Sequence, residues 1–187
     1  MGRLIVSIFR GIYELIEVFV LSASVFFVVY MFLGQPHQVK GNSMVPNFHD
    51  GEYLFTDKVT YRRRPPAYGD VVVFKAPINE NYDFIKRVIA IAGENVMVKG
   101  GKVYVNSRQL DESKYLPDNY MTDAGQFLRE GEDYTIPANN IFVMGDNRGH
   151  SSDSREWGPV PLDNLVGSAF FRYWPVKEAG LIKNPEL

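Results

Sequence analysis

Apolar residues fall along this chain in two different patterns. From residue 12 to residue 33 they run almost unbroken, and 18–33 carries no charge. As a helix, those 22 residues extend about 33 Å, enough to cross the hydrocarbon core of a bilayer. Pro36 is expected to end the helix, with 38–40 extended. Further on, apolar residues come in short, largely alternating runs separated by Gly, Pro, Asn and Asp, the pattern of strands and turns. Runs at 53–57, 70–74, 134–136, 141–144 and 166–173 read as strands, and the two runs of 96–105 around Gly100-Gly101 read as a hairpin. Segments 79–82 and 106–132 are polar and read as loops. The expected fold class is mainly β, an antiparallel β-sandwich or barrel with one N-terminal transmembrane helix. On this reading 1–35 is a cytoplasmic N-terminus and single membrane anchor, 36–187 an extracytoplasmic β-rich domain, and 95–137 a hairpin and loop insertion within it.

One strand breaks the alternation. Residues 83–94 put Phe84, Lys86, Val88, Ala90 and Ala92 on one face and Ile85, Arg87, Ile89 and Ile91 on the other. Both faces are apolar, so the strand is expected to be covered on both sides. Lys86 would then lose hydration and its pKa would fall, toward a neutral amine that can act as a base. A strand lysine also commonly reaches to water or pairs with a carboxylate, so Lys86 gains meaning only with a nucleophile beside it.

Charge sets the topology. Arg3 and Arg10 precede the apolar segment and no lysine or arginine follows until Lys40, which places the N-terminus in the cytoplasm and everything after Gly34 outside. The segment is long for a cleaved signal peptide and closes without a small-x-small site, which favours an uncleaved anchor. The net charge of −2 argues against nucleic acid as a partner. With no cysteine, disulfides, thiol catalysis and cysteine-ligated zinc are excluded. His37, His49 and His150 are scattered without metal-ligand spacing. Tyr61-Arg62-Arg63-Arg64-Pro65-Pro66 reads as a solvated basic turn, with contact to anionic lipid headgroups as the alternative.

Ser43 lies among Gly41, Asn42 and Pro46, ordinarily mere turn chemistry. The polar run from Gly145 to Arg155 is either a surface turn or a buried network. Taken in order, however, Asn42-Ser43-Met44-Val45-Pro46, Gly69-Asp70-Val71-Val72-Val73-Phe74, Phe84-Ile85-Lys86-Arg87-Val88-Ile89-Ala90, and Gly145-Asp146-Asn147-Arg148 with Ser151, Asp153, Ser154 and Arg155 resemble the successive motifs of bacterial type I signal peptidases. The resemblance runs from the apolar segment to about Pro175, and the chain looks like the shorter, single-anchor members.

That resemblance implies a membrane-bound serine endopeptidase that removes signal peptides from exported preproteins after small residues. It implies no metal and no cofactor, and its partners are signal peptides and membrane lipid. Ser43 matches the nucleophile and Lys86 the general base, consistent with a desolvated lysine taking a serine proton without histidine. Ser151 matches the position whose hydroxyl orients the lysine amine, and Asp153 and Arg155 match the supporting ion pair. Asp146 is the candidate partner for Arg87, otherwise a cation on a covered strand. Val39, Met44, Phe84 and Ile85 are the expected small apolar subsites, with plain core packing an equal alternative for Val39 and Ile85. Met44, Phe48 and Trp157 are expected at an exposed rim facing the bilayer.

Two positions depart from the family pattern. Asn47 stands where threonine is usual, and Gly41 replaces a serine that in some members donates to the oxyanion; the Ser43 N–H remains as a donor. Two competing readings are a self-cleaving repressor-type Ser/Lys protease and a catalytically silent, membrane-tethered domain that binds exported peptides.

Overall fold

The structure, a computed structural model, describes residues 2–32 and 34–183, with side chains of the first helix described at 7–28, 30 and 32. Helix α1 (Gly2–Phe32) contains the apolar stretch Ser7–Val28, 22 residues that bury nothing against the rest of the chain. By length and composition it can cross a membrane. Arg10 donates to Glu14 one turn later, at 3.0 Å, so one of the two acidic residues of the helix, Glu14 and Glu17, is paired. Leu33, expected to close the helix, lies outside the described residues. Pro36 does not end it: the chain is already extended at Gly34, and Pro36 sits inside an edge strand, where a missing N–H costs no ladder bond.

The strands are β1 (Gly34–Gln38), β2 (Tyr53–Asp57), β3 (Val71–Ala76), β4 (Asn79–Ile91), β5 (Asn95–Lys99), β6 (Lys102–Val105), β7 (Arg108–Gln109), β8 (Tyr134–Thr135), β9 (Asn140–Met144), β10 (Val160–Pro161), β11 (Leu165–Trp174) and β12 (Gly180–Leu181). Two short helices, α2 (Thr60–Arg63) and α3 (Ser154–Trp157), interrupt them. One sheet runs β1-β2-β11-β3-β4-β9-β10 with β12 added to β11; a second runs β7-β6-β5-β8. Every pairing is antiparallel, so the fold is mainly antiparallel β with one N-terminal apolar helix.

The first sheet is covered on both faces around β3 and β4. Val71 and Val73 pack with Val39, Met44, Phe48, Leu54 and Ala169, while Val72 and Phe74 pack with Val88, Ile141, Val143 and Val160. From Lys86 to Ala90 every residue of β4 is buried, as the two-sided apolar pattern required. The second sheet closes over Ile89, Phe142 and Met144 with Val96, Val98 and Val103. Its hairpin turns on Gly100 and Gly101, both at positive φ (59° and 74°), which a side chain would resist.

Of the two segments expected as loops, 79–82 is strand, whereas 106–132 is loop apart from β7 but is not wholly exposed. Residues 79–82 extend β4, because the β3–β4 hairpin turns tightly at Pro77 and Ile78. Segment 106–132 carries buried residues: Leu110 and Leu128 join the core beneath the second sheet, and Tyr115, Leu116 and Thr122 are also buried. Most of its polar residues face outward, and that hides the apolar anchors in a plain reading of composition.

Candidate active site

The loop that carries Ser43 is fixed from below. Val39 N–H donates to the Glu52 carbonyl (2.8 Å), Gly51 N–H to the Val39 carbonyl (3.0 Å), and Asn47 and Phe48 N–H to the Met44 carbonyl (3.0 and 2.9 Å). Met44 and Phe48, at 1% and 2% exposure, drive into the core on either side of the cis Val45–Pro46 peptide. Ser43, half-buried, is left facing the strand beside it. From above, Asn147 N–H donates to the Ser43 carbonyl (3.0 Å) and the Asn147 amide to the Asn42 carbonyl (3.0 Å). The turn carrying Ser43 and the polar run after β9 are thus bonded to each other.

Lys86 reaches across from β4. Its Nζ donates to Ser43 Oγ at 2.7 Å and to the Ile85 carbonyl at 3.0 Å, and lies 5.2 Å from the Phe84 ring centroid. The residue is 4% exposed. Burial lowers its pKa to about 8, against the opposing pull of the Asp153 and Asp146 charges. With a pKa near 8, about 9% of Lys86 is neutral at pH 7, against about 0.03% for an unperturbed lysine. Burial therefore supplies a roughly 300-fold gain in the basic form.

Behind the pair, two arginine–aspartate pairs shape the loop. Arg87 grips Asp146 with both ends of its fork (Nε to Oδ1, 2.8 Å; Nη2 to Oδ2, 2.7 Å), donates to the Gly69 carbonyl (2.9 Å), and stacks on the Tyr115 ring at 4.3 Å. Arg155 grips Asp153 through Nε (2.8 Å) and Nη2 (2.8 Å), while Asp153 also accepts the Gly145 N–H (2.9 Å). All four residues are buried. Such closely paired, fully bonded charges hold shape, and removal of one partner would leave the other uncompensated.

The structure brings together most of the residues singled out in the sequence, with three exceptions. Ser151 Oγ is buried and makes no hydrogen bond; it stands against Gly145 and the Ser43 carbonyl and does not reach Lys86. Met44 is core and does not line the cleft. The bilayer-facing rim also fails, since Met44 and Phe48 are buried and Trp157 is half-buried against Phe74. Apolar residues in a loop are core by default unless something holds them out, and nothing here does. Val39, Phe84 and Ile85 line a cleft of about 250 Å³ that also touches Ser43, Lys86, Leu54, Val73 and His37. A cavity of about 540 Å³ touches Arg87 and Asn47 but neither Ser43 nor Lys86, so the Lys86–Ser43 contact, not size, selects the candidate site.

Sequence reasoning missed the layer that supports the loop. Arg148, fully buried, donates to both oxygens of Glu112, to Thr122 Oγ1 (2.7 Å) and to the Gly145 carbonyl (3.0 Å). Asn47 supplies what its unusual position left open: its amide donates to Asp146 Oδ2 (2.8 Å) and to the Tyr115 carbonyl (2.8 Å). Gly41 N–H is occupied by Asp50 Oδ1 (2.7 Å), whereas Ser43 N–H donates to nothing among the described residues. An arginine inside an otherwise polar turn was the available signal for Arg148, since a buried guanidinium demands several acceptors. Elsewhere, His49, Glu52 and Glu178 bring one ligand atom each within 4.8 Å of one another, but Arg172 bonds both carboxylates (3.0 and 2.6 Å) and takes the place of a cation there.

Residues 12–174 match the family model described as signal peptidase, peptidase S26. Signal peptidase IB of Staphylococcus aureus (strain MRSA252) is 35% identical over 188 aligned positions, covering 92% of this chain and 96% of that protein. Probable signal peptidase I-1 of Synechocystis is 38% identical over 157 positions, 80% of this chain and 76% of that protein. Thylakoidal processing peptidase 1, chloroplastic, of Arabidopsis thaliana is 38% identical over 154 positions; they make up 76% of this chain but 43% of that longer protein. A crystal structure of a signal peptidase I from Enterococcus faecalis superposes with a TM-score of 0.44 at 26% identity, covering 56% of this chain and 97% of that one. With the family model matched over most of its length, and a relative of nearly equal length at 35% identity, this chain belongs to the signal peptidase family, peptidase S26.

Proposed function

We propose that this protein is a membrane-anchored serine endopeptidase that cuts signal peptides from exported preproteins, with Ser43 as nucleophile and Lys86 as general base. The observation that carries the reading is the 2.7 Å contact between Lys86 Nζ and Ser43 Oγ, made by a lysine whose pKa burial has lowered to about 8. Neutral Lys86 accepts the Ser43 proton as Oγ adds to the scissile carbonyl. The developing oxyanion forms beside the Ser43 N–H, a donor with no partner inside the described chain. Collapse expels the new amino terminus, which takes its proton from the Lys86 ammonium. Lys86, neutral again, then activates a water that hydrolyses the acyl ester and frees Ser43.

Asp153, Arg155, Asp146 and Arg87 act as positioning residues that hold the loop against the dyad. Val39, Phe84 and Ile85 wall the cleft beside Ser43, which suits small apolar residues upstream of the cut. Helix α1 keeps the site near the bilayer, with its N-terminus cytoplasmic and the β-rich domain outside. A silent peptide-binding domain would have no use for a neutralised lysine within bonding distance of a serine. The test is incubation of the detergent-solubilised full chain with a preprotein, beside Ser43→Ala. Cleavage at the signal-peptide junction by the parent alone supports the reading; equal cleavage by Ser43→Ala refutes it.

A further inference from the structure

The β1–β2 register decides which end of the domain meets the membrane. Gly34 is two residues beyond Phe32, so it lies within about 7 Å of the last described turn of α1. Gly34 pairs with Asp57, and Asp57 with Ser168. The C-terminal end of β2 is therefore the end at which the helix leaves the bilayer. Asp57 caps the turn leading into α2, accepting Val59 N–H (2.6 Å), Thr60 N–H (3.3 Å) and Thr60 Oγ1–H (2.5 Å), which fixes α2 at that same end. Lys58 agrees with this placement, since its Nζ donates to the Tyr30 carbonyl of α1 (3.3 Å) and lies 5.6 Å from the Tyr30 ring. A tyrosine just past an apolar span sits at headgroup level.

Against a chain of net charge −2, this end is basic. Arg64 is committed to Asp70 through two bonds (2.7 and 2.9 Å). Arg62 and Arg63 are both exposed, and neither makes a side-chain hydrogen bond or ion pair among the described residues. The acids facing them are Asp57, Asp70 and Asp163. The first two spend their oxygens on the bonds just given, although the Arg63 charge also acts on Asp57, and Asp163 is on the neighbouring turn. Next to the arginines is a cleft of about 370 Å³ with an apolar lining of Tyr61, Pro65, Pro66, Leu162 and Leu165.

We propose that Lys58, Arg62 and Arg63, together with this cleft, bind the headgroup of an anionic phospholipid of the leaflet from which α1 emerges. The arginines take the phosphate, and the leucine–proline lining takes the glycerol and first acyl carbons. The inference rests on reading α1 as a membrane anchor but not on the dyad chemistry. Arginine matches phosphate geometry through its fork, and the apolar lining distinguishes a lipid from a free anion.

The test is native mass spectrometry of the full chain in detergent, titrated with phosphatidylglycerol, phosphatidylcholine or soluble glycerol 3-phosphate. Phosphatidylglycerol should be retained well above phosphatidylcholine, and glycerol 3-phosphate should compete poorly. Removing two cations with Arg62→Gln/Arg63→Gln should weaken phosphatidylglycerol binding about thirtyfold, while Arg62→Lys/Arg63→Lys, which keeps both charges but loses the forks, should fall between that variant and the parent. Peptide cleavage by both double variants in detergent should equal the parent's, which verifies the fold and reports separately on the proposed activity. Equal retention of the two lipids, unchanged binding by the glutamine variant, or full competition by glycerol 3-phosphate would overturn the proposal.

Discussion

Substituting Lys86 by arginine isolates the proposed proton-transfer role from charge and bulk. In the parent, burial sets the Lys86 pKa at about 8, so kcat/KM should rise tenfold per pH unit below that value and level off above it. A guanidinium with a pKa above about 12 leaves less than about one part in ten thousand neutral at pH 8. Lys86→Arg should therefore lose at least about 10⁴-fold in preprotein cleavage, to background. The same shift fixes a stability signature. The folded pKa of about 8 lies below the unfolded value of about 10.5, so the folded chain binds fewer protons between these limits. The contribution of Lys86 to stability is fully present above about pH 10.5, declines as pH falls toward about 8, and is absent below that, a swing of about 3 kcal/mol. The assay is cleavage of a purified preprotein by the full chain in detergent from pH 6 to 10, with urea unfolding at the same pH values. A profile inflecting near 6.5, or substantial cleavage by folded Lys86→Arg, would refute the lysine as base and point to a histidine.

Gly145→Ala would place a methyl group against the Ser43 carbonyl and Ser151 Oγ; it should cost about 1–3 kcal/mol by overpacking and reduce kcat by more than that loss of folded protein explains, measured by cleavage at matched folded fraction. Glu112→Ala leaves buried Arg148 without its carboxylate and should destabilise by about 3 kcal/mol, lowering Tm by roughly 10 °C in calorimetry; an unchanged Tm would remove Arg148 from the support of the loop. For topology, protease added to intact spheroplasts should digest the domain after α1 and spare the N-terminal residues, whereas a protected domain would reverse the orientation.

The features legible in the sequence are local ones. The β4 pattern announces a strand covered on both faces because side-chain alternation is written into consecutive residues, and Lys86 draws notice as the misfit within it. The Gly100-Gly101 hairpin is equally local. By contrast, β2 lies beside β11 across more than a hundred residues of chain, and no short-range pattern encodes that pairing. Leu110, Leu128 and Tyr115 are hidden in a segment that is polar on average, because a few apolar anchors suffice to pin a loop whose other side chains face water. Asn47 and Arg148 are visible as letters, but their partners Asp146, Tyr115 and Glu112 come from distant segments, so their function as braces exists only after folding. Met44 and Phe48 depart from expectation for the opposite reason: they neighbour Ser43 in sequence, yet their side chains turn away from it into the core.

Strand β1 does two jobs with one stretch of backbone. It begins two residues after α1 and runs straight to Val39, a wall of the cleft. Five residues of extended chain rise at most about 17 Å, so for a chain held by α1 in a bilayer the strand is a ruler. A substrate whose own apolar segment stops at the membrane surface must climb the same height in extended form. On the function proposed above, and with β1 rising from the bilayer, such a chain presents to Ser43 a bond about five residues beyond that segment, so the length of β1 would limit how close to the membrane it is cut.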